Sequence, residues 1–192
     1  LTQSMLTLGP QLEKFEADFC KYSQAKYAIA VSNCTAALHL SLKALGIKKD
    51  DEVIIPDLTF VADANAVLAC NAKPVIVDIN KENFFLSIPN IKKNITKKTK
   101  AIIPVHIYGQ VCNIEDILDV AKDNNLKVIE DCAHAVGTFH KSKHVGTLGN
   151  TGCFSFYPTK NITTAEGGMV ITNSEKIAEK VRQLRNHGMT KS

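Results

Sequence analysis

Lys160 stands directly behind the apolar run Phe154-Ser155-Phe156, in the stretch Tyr157-Pro158-Thr159-Lys160-Asn161. A lysine there is a candidate Schiff-base nucleophile, although a solvated loop lysine is the commoner use of the residue. Asp131 ends a second apolar run, Val128-Ile129-Glu130-Asp131, followed by Cys132-Ala133-His134. An acid at the end of a buried strand is costly unless a cation faces it. A protonated ring nitrogen would meet that need. Two other uses compete: an N-cap for the following turn, and a zinc set built from Asp131, His134, His140 and His144. The zinc set lacks compact ligand spacing, and a single histidine is more often a hydrogen-bonded scaffold residue than a catalyst.

Two further segments bear on ligands. Ser32-Asn33-Cys34-Thr35-Ala36-Ala37-Leu38 reads as a strand end turning into a helix, where free N–H groups and the helix dipole favour an anion. It has neither P-loop nor dinucleotide spacing, and an ordinary Ser/Thr cap explains it when taken alone. Ala165-Glu166-Gly167-Gly168-Met169 lets the backbone pass close to another element or a ligand, or simply turns into a strand.

These segments need a scaffold that brings strand ends together. Short β-rich runs alternate with helical spacing. Strands are predicted at Tyr27–Val31, Glu52–Pro56, Pro74–Asp78, Thr99–Val105, Lys127–Asp131, Gly152–Phe156 and Gly168–Thr172. Helices are predicted at Leu8–Ser23, Thr35–Leu45, Thr59–Asn71 and Ile114–Asn124, with a last one capped by Ser174 and running to about His187. Strands apolar on both sides and separated by helices call for a mostly parallel sheet covered on both faces. The fold class is α/β, a three-layer sandwich forming one domain over residues 1–192, and ligands in such sheets bind at the carboxyl ends of the strands.

Composition removes several function classes. With 45% hydrophobic and 22% charged residues the chain is neither disordered nor fibrous. No apolar run reaches the roughly 18 residues of a membrane span. Residues Leu1-Thr2-Gln3-Ser4 carry no secretory signal, and the six cysteines form no Cys-x-x-Cys pair, which points to the cytoplasm. The net charge of +4 is concentrated at Lys92, Lys93, Lys97, Lys98 and Lys100, without arginines or aromatics. That is a solvated face rather than a nucleic-acid surface.

The ordered set of motifs resembles the fold-type I, pyridoxal-phosphate-dependent sugar aminotransferases of the DegT/DnrJ/EryC1/StrS family. The resemblance is carried by Thr35-Ala36-Ala37-Leu38, Asp51-Glu52-Val53-Ile54 and Thr59-Phe60-Val61-Ala62. It continues through Ala101-Ile102-Ile103-Pro104-Val105-His106-Ile107-Tyr108-Gly109, Glu130-Asp131-Cys132-Ala133-His134-Ala135, and Phe154 through Lys160 to Gly168. It implies that Thr35 and the backbone of Cys34 and Ala36 hold the cofactor phosphate, with Ser155 adding a hydroxyl. It further implies that Phe60 stacks on the pyridine ring, Asp131 binds the ring nitrogen, His134 lies near the phenolic oxygen, and Lys160 joins the aldehyde. The implied activity moves an amino group from an amino acid, L-glutamate, to a nucleotide-linked keto-sugar in deoxysugar and polysaccharide biosynthesis.

The run Ile162–Gly168 and the ending His187-Gly188-Met189 resemble the perosamine-synthase branch, which aminates C4 of 4-keto-6-deoxyhexoses. Dehydratase relatives carry His at the lysine position, so Lys160 argues for transamination; a cofactor-binding regulator or inactive fragment is the other alternative. The resemblance also implies a homodimer, no metal, and no nucleic-acid or membrane partner. Family members are about twice this length, so the chain is expected to be a truncated piece without the carboxyl-terminal small domain. The family's usual Gly before the phosphate-loop Thr is replaced by Asn33-Cys34, and its Gly at position 165 by Ala165.

Overall fold

Apolar alternation along the strands dictates two buried faces. In β2 (Glu52–Pro56), Val53 and Ile55 enter one core while Ile54 enters the other. β5 (Lys127–Asp131) divides Ile129 from Val128 in the same way. The computed structural model describes residues 8–189. It contains a seven-stranded sheet that uses both faces of these strands.

In chain order the remaining strands are β1 (Tyr27–Val31), β3 (Lys73–Val77), β4 (Thr99–Ile102), β8 (Thr151–Ser155) and β9 (Gly168–Thr172). Their spatial order is β1-β9-β8-β5-β4-β2-β3. The sheet is parallel from β3 to β8, and β9 runs antiparallel to both of its neighbours. The carboxyl ends of β1, β2, β4, β5 and β8 therefore share one edge with the amino end of β9.

One face carries α2 (Cys34–Ala44), α3 (Ala62–Ala69) and α6 (Glu175–Arg185), which bury Leu38, Leu42, Val67 and Val181 against Ile129 and Cys153. The other carries α4 (Ile88–Asn94) and α5 (Ile114–Asp123), packed through Ile91 and Ile117. On that face α1 (Pro10–Ser23) sets Phe19 against Phe154 and Phe156, with ring centroids 5.2 and 5.7 Å apart. Each such aliphatic or aromatic side chain stabilises the fold by roughly 1.5–3 kcal/mol.

The predicted spans differ from the structure where local chemistry intervenes. β4 stops at Ile102 rather than Val105, because Pro104 has no N–H to extend the ladder. Its carbonyl instead accepts from Asp131 N–H at 2.9 Å. α3 begins at Ala62 and not Thr59, leaving Thr59 to Val61 in the loop that rims the strand edge. α1 starts at Pro10, after Gly9. Ser174 precedes α6 without a side-chain capping bond. α4, with Pro89 in its first turn, and the hairpin β6 (Phe139–His140) with β7 (Lys143–His144) were not predicted. All six cysteines are free thiols.

Gly152 on β8 has no room for a side chain, because an added Cβ would lie 2.3 Å from Gly146 Cα and 2.6 Å from its carbonyl oxygen. Both atoms belong to backbone and cannot swing away. Gly152→Ala is expected to destabilise the protein by about 2 kcal/mol or more, read as a lower urea midpoint. An unchanged midpoint would mean that the approach of the two glycines is looser than described.

Candidate active site

Alternation along β5 gives its last two residues opposite tasks. Asp131 points to the α2 side, and Glu130 to the side of α1 and α5. Glu130 is fully buried and fully bonded. Its Oε1 accepts from Leu148 N–H (2.8 Å) and Gly149 N–H (2.6 Å). Its Oε2 accepts from Gly146 N–H (2.8 Å) and pairs with His106 Nε2 at 3.0 Å. His106 Nδ1 in turn accepts from Cys112 N–H at 3.3 Å, so Nε2 carries the proton that Glu130 receives. The next peptide is pinned as well, with His106 N–H donating to Asp131 O at 3.0 Å. Glu130 thus ties two loops to the strand that presents Asp131.

Asp131 is buried beside a cavity of about 640 Å³, within the usual range for small-molecule sites. Its Oδ1 accepts from Ala133 N–H at 2.8 Å, and Cys34 Sγ lies 4.0 Å away. Burial raises its proton affinity; the Ala133 N–H and Lys160 oppose that rise. The same cavity is lined by Cys34, Thr35, Phe60, His134, Ser155 and Lys160. The structure therefore brings together every residue that the family resemblance assigns to the cofactor except Ala36. The Ala36 amide is taken by Asn33 Oδ1 at 2.8 Å, and the residue faces a different groove.

The helix start is held by its neighbours. A Cβ on Gly168 would sit 2.4 Å from the Asn33 carbonyl carbon and 2.8 Å from Cys34 N, so β9 needs glycine where it passes under the turn. Phe60 stands at the mouth with 72% of its surface exposed. The His134 ring stacks on Tyr108, with centroids 5.7 Å apart and planes 7° apart, and His134 Nδ1 accepts from Tyr108 N–H at 3.4 Å. Burial first, and Lys160 second, push the His134 pKa down. The neutral ring then keeps its proton on Nε2 and presents a donor. Lys160 is half-buried, its amide anchored to Tyr157 O at 2.9 Å.

The three histidines and one aspartate of the zinc set, His134, His140, His144 and Asp131, do not converge among the described residues. His144 is instead a scaffold residue, buried against Tyr22, Phe139 and Phe154, with Nδ1 bonded to Val145 O at 2.6 Å. The group that does converge, His106, Glu130 and Cys132, has its carboxylate fully committed to hydrogen bonds. Sequence reasoning assigned no role to Thr59, Tyr108, Tyr157 or Glu166, which also line the cavity. Tyr108 lay inside a quoted motif, and its φ of 52° is the kind of detail that no spacing rule reveals.

Fold and site together define a three-layer α/β protein with a lysine, a buried acid and a helix amino terminus on one cofactor-sized cavity. The model of the DegT/DnrJ/EryC1/StrS aminotransferase family matches residues 1–192, and the chain belongs to that family. It is 49% identical over 183 residues to the GDP-perosamine synthase of Caulobacter vibrioides, covering 95% of this chain and 49% of that protein. It is 45% identical to the GDP-perosamine synthase of Vibrio cholerae over 94% of this chain and 49% of that protein. Among solved structures it resembles Streptomyces venezuelae DesV in complex with a ketimine intermediate, at 38% identity and a TM-score of 0.92, covering 96% of this chain and 50% of that one. Spr1654 from Streptococcus pneumoniae, in its PLP-form, matches at 30% identity and a TM-score of 0.92, covering 98% and 54% of the two chains. The chain spans about half the length of the curated relatives it matches.

Pyridoxal 5′-phosphate is the cofactor of this family, and the residues present fit it. The Thr35 and Ser155 hydroxyls and the start of α2 suit a phosphate. Asp131, buried with no salt-bridge partner among the described residues, suits a protonated ring nitrogen. Phe60 offers an open aromatic face.

Two outcomes are expected. Glu130→Gln puts an amide hydrogen against backbone donors and is expected to cost about 2–4 kcal/mol of stability, measured by denaturant unfolding; a loss under about 0.5 kcal/mol would contradict the clamp. Ala165 holds a φ of 66°, so Ala165→Gly relieves a left-handed strain and is expected to add about 0.5 kcal/mol. A lowered thermal midpoint would contradict that.

Proposed function

We propose that this chain is the cofactor-binding domain of an enzyme that moves an amino group from L-glutamate to a nucleotide-linked keto-sugar, a 4-keto-6-deoxyhexose. The observation that carries the reading is the convergence of Lys160, Asp131, Thr35 and Phe60 on one cavity at the strand edge. The identity to perosamine synthases supports the choice of sugar. Lys160 supports transamination over dehydration. Among the described residues no helix is long and apolar enough to cross a membrane. A cytoplasmic homodimer belongs to the proposal, supported by the exposed Phe60 and Tyr108 at the cavity mouth, which an assembly would cover.

When bound, pyridoxal phosphate supplies an aldehyde for amines and a ring that draws electrons from the substrate carbon. The chain does the rest. Thr35, Ser155 and the Cys34 and Thr35 amides at the start of α2 would bind the phosphate and set the depth of the cofactor. Asp131 accepts a hydrogen bond from the ring N–H and keeps that proton in place, because its own buried charge favours a cation opposite it. His134 offers its Nε2–H to the phenolic oxygen. Lys160 holds the cofactor through its amine. Its amine, when free of the cofactor, would take a proton from the donor's α-carbon and deliver it to the carbon on the far side of the transferred nitrogen. Because the amino group is stored between two half-reactions, the kinetics are ping-pong.

The test offers the full-length protein GDP- and dTDP-linked 4-keto-6-deoxyhexoses with L-glutamate and follows product mass. Aminated sugar is expected, with Lys160→Ala slower by about a thousand-fold or more while still taking up cofactor. Turnover of a 3-keto sugar alone, or normal turnover by Lys160→Ala, would remove the reading.

A further inference from the structure

Asp63 sits in the first turn of α3, behind the cavity wall formed by Thr59, Phe60 and Ala62. Its surface is fully buried. Oδ2 accepts the Thr59 hydroxyl at 2.6 Å, and Oδ1 is buried with no partner. No lysine, arginine or histidine pairs with it among the described residues. The titratable groups facing it are all acids: Asp131 on β5, Cys34 at the start of α2 and Cys153 on β8. Burial holds both of those thiols in the neutral form.

Two buried carboxyl groups that feel each other's charge do not both ionise without a large penalty. The surroundings decide which one stays neutral. Asp131 has the Ala133 N–H and Lys160 to favour its anion. Asp63 has only the Thr59 hydroxyl. Its orphaned Oδ1 is also the natural seat of a proton, since an ionised oxygen without any donor is the costlier alternative.

We propose that Asp63 is a positioning residue that carries the proton of this buried carboxyl pair, leaving the negative charge on Asp131 where the cofactor ring nitrogen is bound. The proposal rests on the role of Asp131 given above. Burial, then Asp131, push the Asp63 carboxyl well above its ordinary range. The Thr59 hydroxyl held by Oδ2, and the Asp63 N–H donated to Phe60 O at 3.3 Å, also tether the segment that carries the stacking aromatic.

The sign of the linkage gives a test independent of cofactor. A native state that keeps a proton released on unfolding loses stability as pH rises above the ordinary carboxylate range. Asp63→Asn, a neutral isostere, removes that loss. In the full-length protein, the ratio of wild-type to Asp63→Asn unfolding constants is expected to rise by up to about ten-fold per pH unit between about pH 5 and about pH 8. A ratio flat with pH would place an ionised Asp63 in the native state and overturn the proposal.

Cofactor binding supplies the second arm. Asp63→Asn is expected to keep the pyridoxal phosphate Kd within about three-fold, and Asp63→Leu, which cannot hold Thr59, to weaken it about ten-fold or more. Equal losses in both variants would mean that Asp63 acts as a second anion, and no loss in Asp63→Leu that it positions nothing. Should Asp63→Asn fail to fold, the infrared carbonyl band of a protonated, ¹³C-labelled aspartic acid in the wild-type protein at neutral pH decides instead, and its absence refutes the proposal. Failure of the wild-type protein to take up cofactor would sink the functional reading, while the pH comparison would still locate the proton.

Discussion

A carboxylate shut away at the end of a central strand needs a positive charge in front of it, and the architecture around Asp131 is organised by that need. Burial pushes the acid toward neutrality, while the Ala133 N–H and the Lys160 amine hold it toward the anion. Within the described residues no salt bridge answers it. A ligand that brings a protonated ring nitrogen answers it well, and the remaining cavity residues suit the other parts of the same ligand.

Strand alternation turns this demand into a rigid site. The residue before Asp131 is Glu130, on the opposite face, where three backbone amides and His106 satisfy its carboxylate. One acid is thus spent on holding loops, and its neighbour is left facing the cavity. Gly146 and Gly168 bring backbone close enough for both arrangements. The antiparallel insertion of β9 between β1 and β8 places Gly168 beside the start of α2, so the turn into α2 and the lysine-bearing loop after β8 rise from strands on either side of β9.

Much of this was legible in the residues. Tyr27–Val31, Glu52–Pro56, Lys127–Asp131 and Gly168–Thr172 are strands as their apolar runs predict. The chemistry-bearing residues of four segments meet because parallel strands end on one edge. What was not legible depended on pairing across the fold. Nothing in the spacing of Thr59 and Asp63 says that one donates to the other behind the cavity wall. The Glu130 clamp joins residues up to 24 positions apart in sequence. Ala36 was expected at the phosphate, but the Asn33 side chain reaches its amide first, a local capping choice that the motif leaves open.

The central claim concerns the protonation of one nitrogen, and nitrogen resonance reads it directly. With pyridoxal phosphate labelled with ¹⁵N in its ring and bound to the full-length protein, the account predicts a protonated ring nitrogen whose shift stays constant from about pH 6 to about pH 9. In Asp131→Asn the same signal should move to the unprotonated value. An unprotonated nitrogen in the wild-type protein, or one indifferent to the loss of the Asp131 charge, would contradict the account.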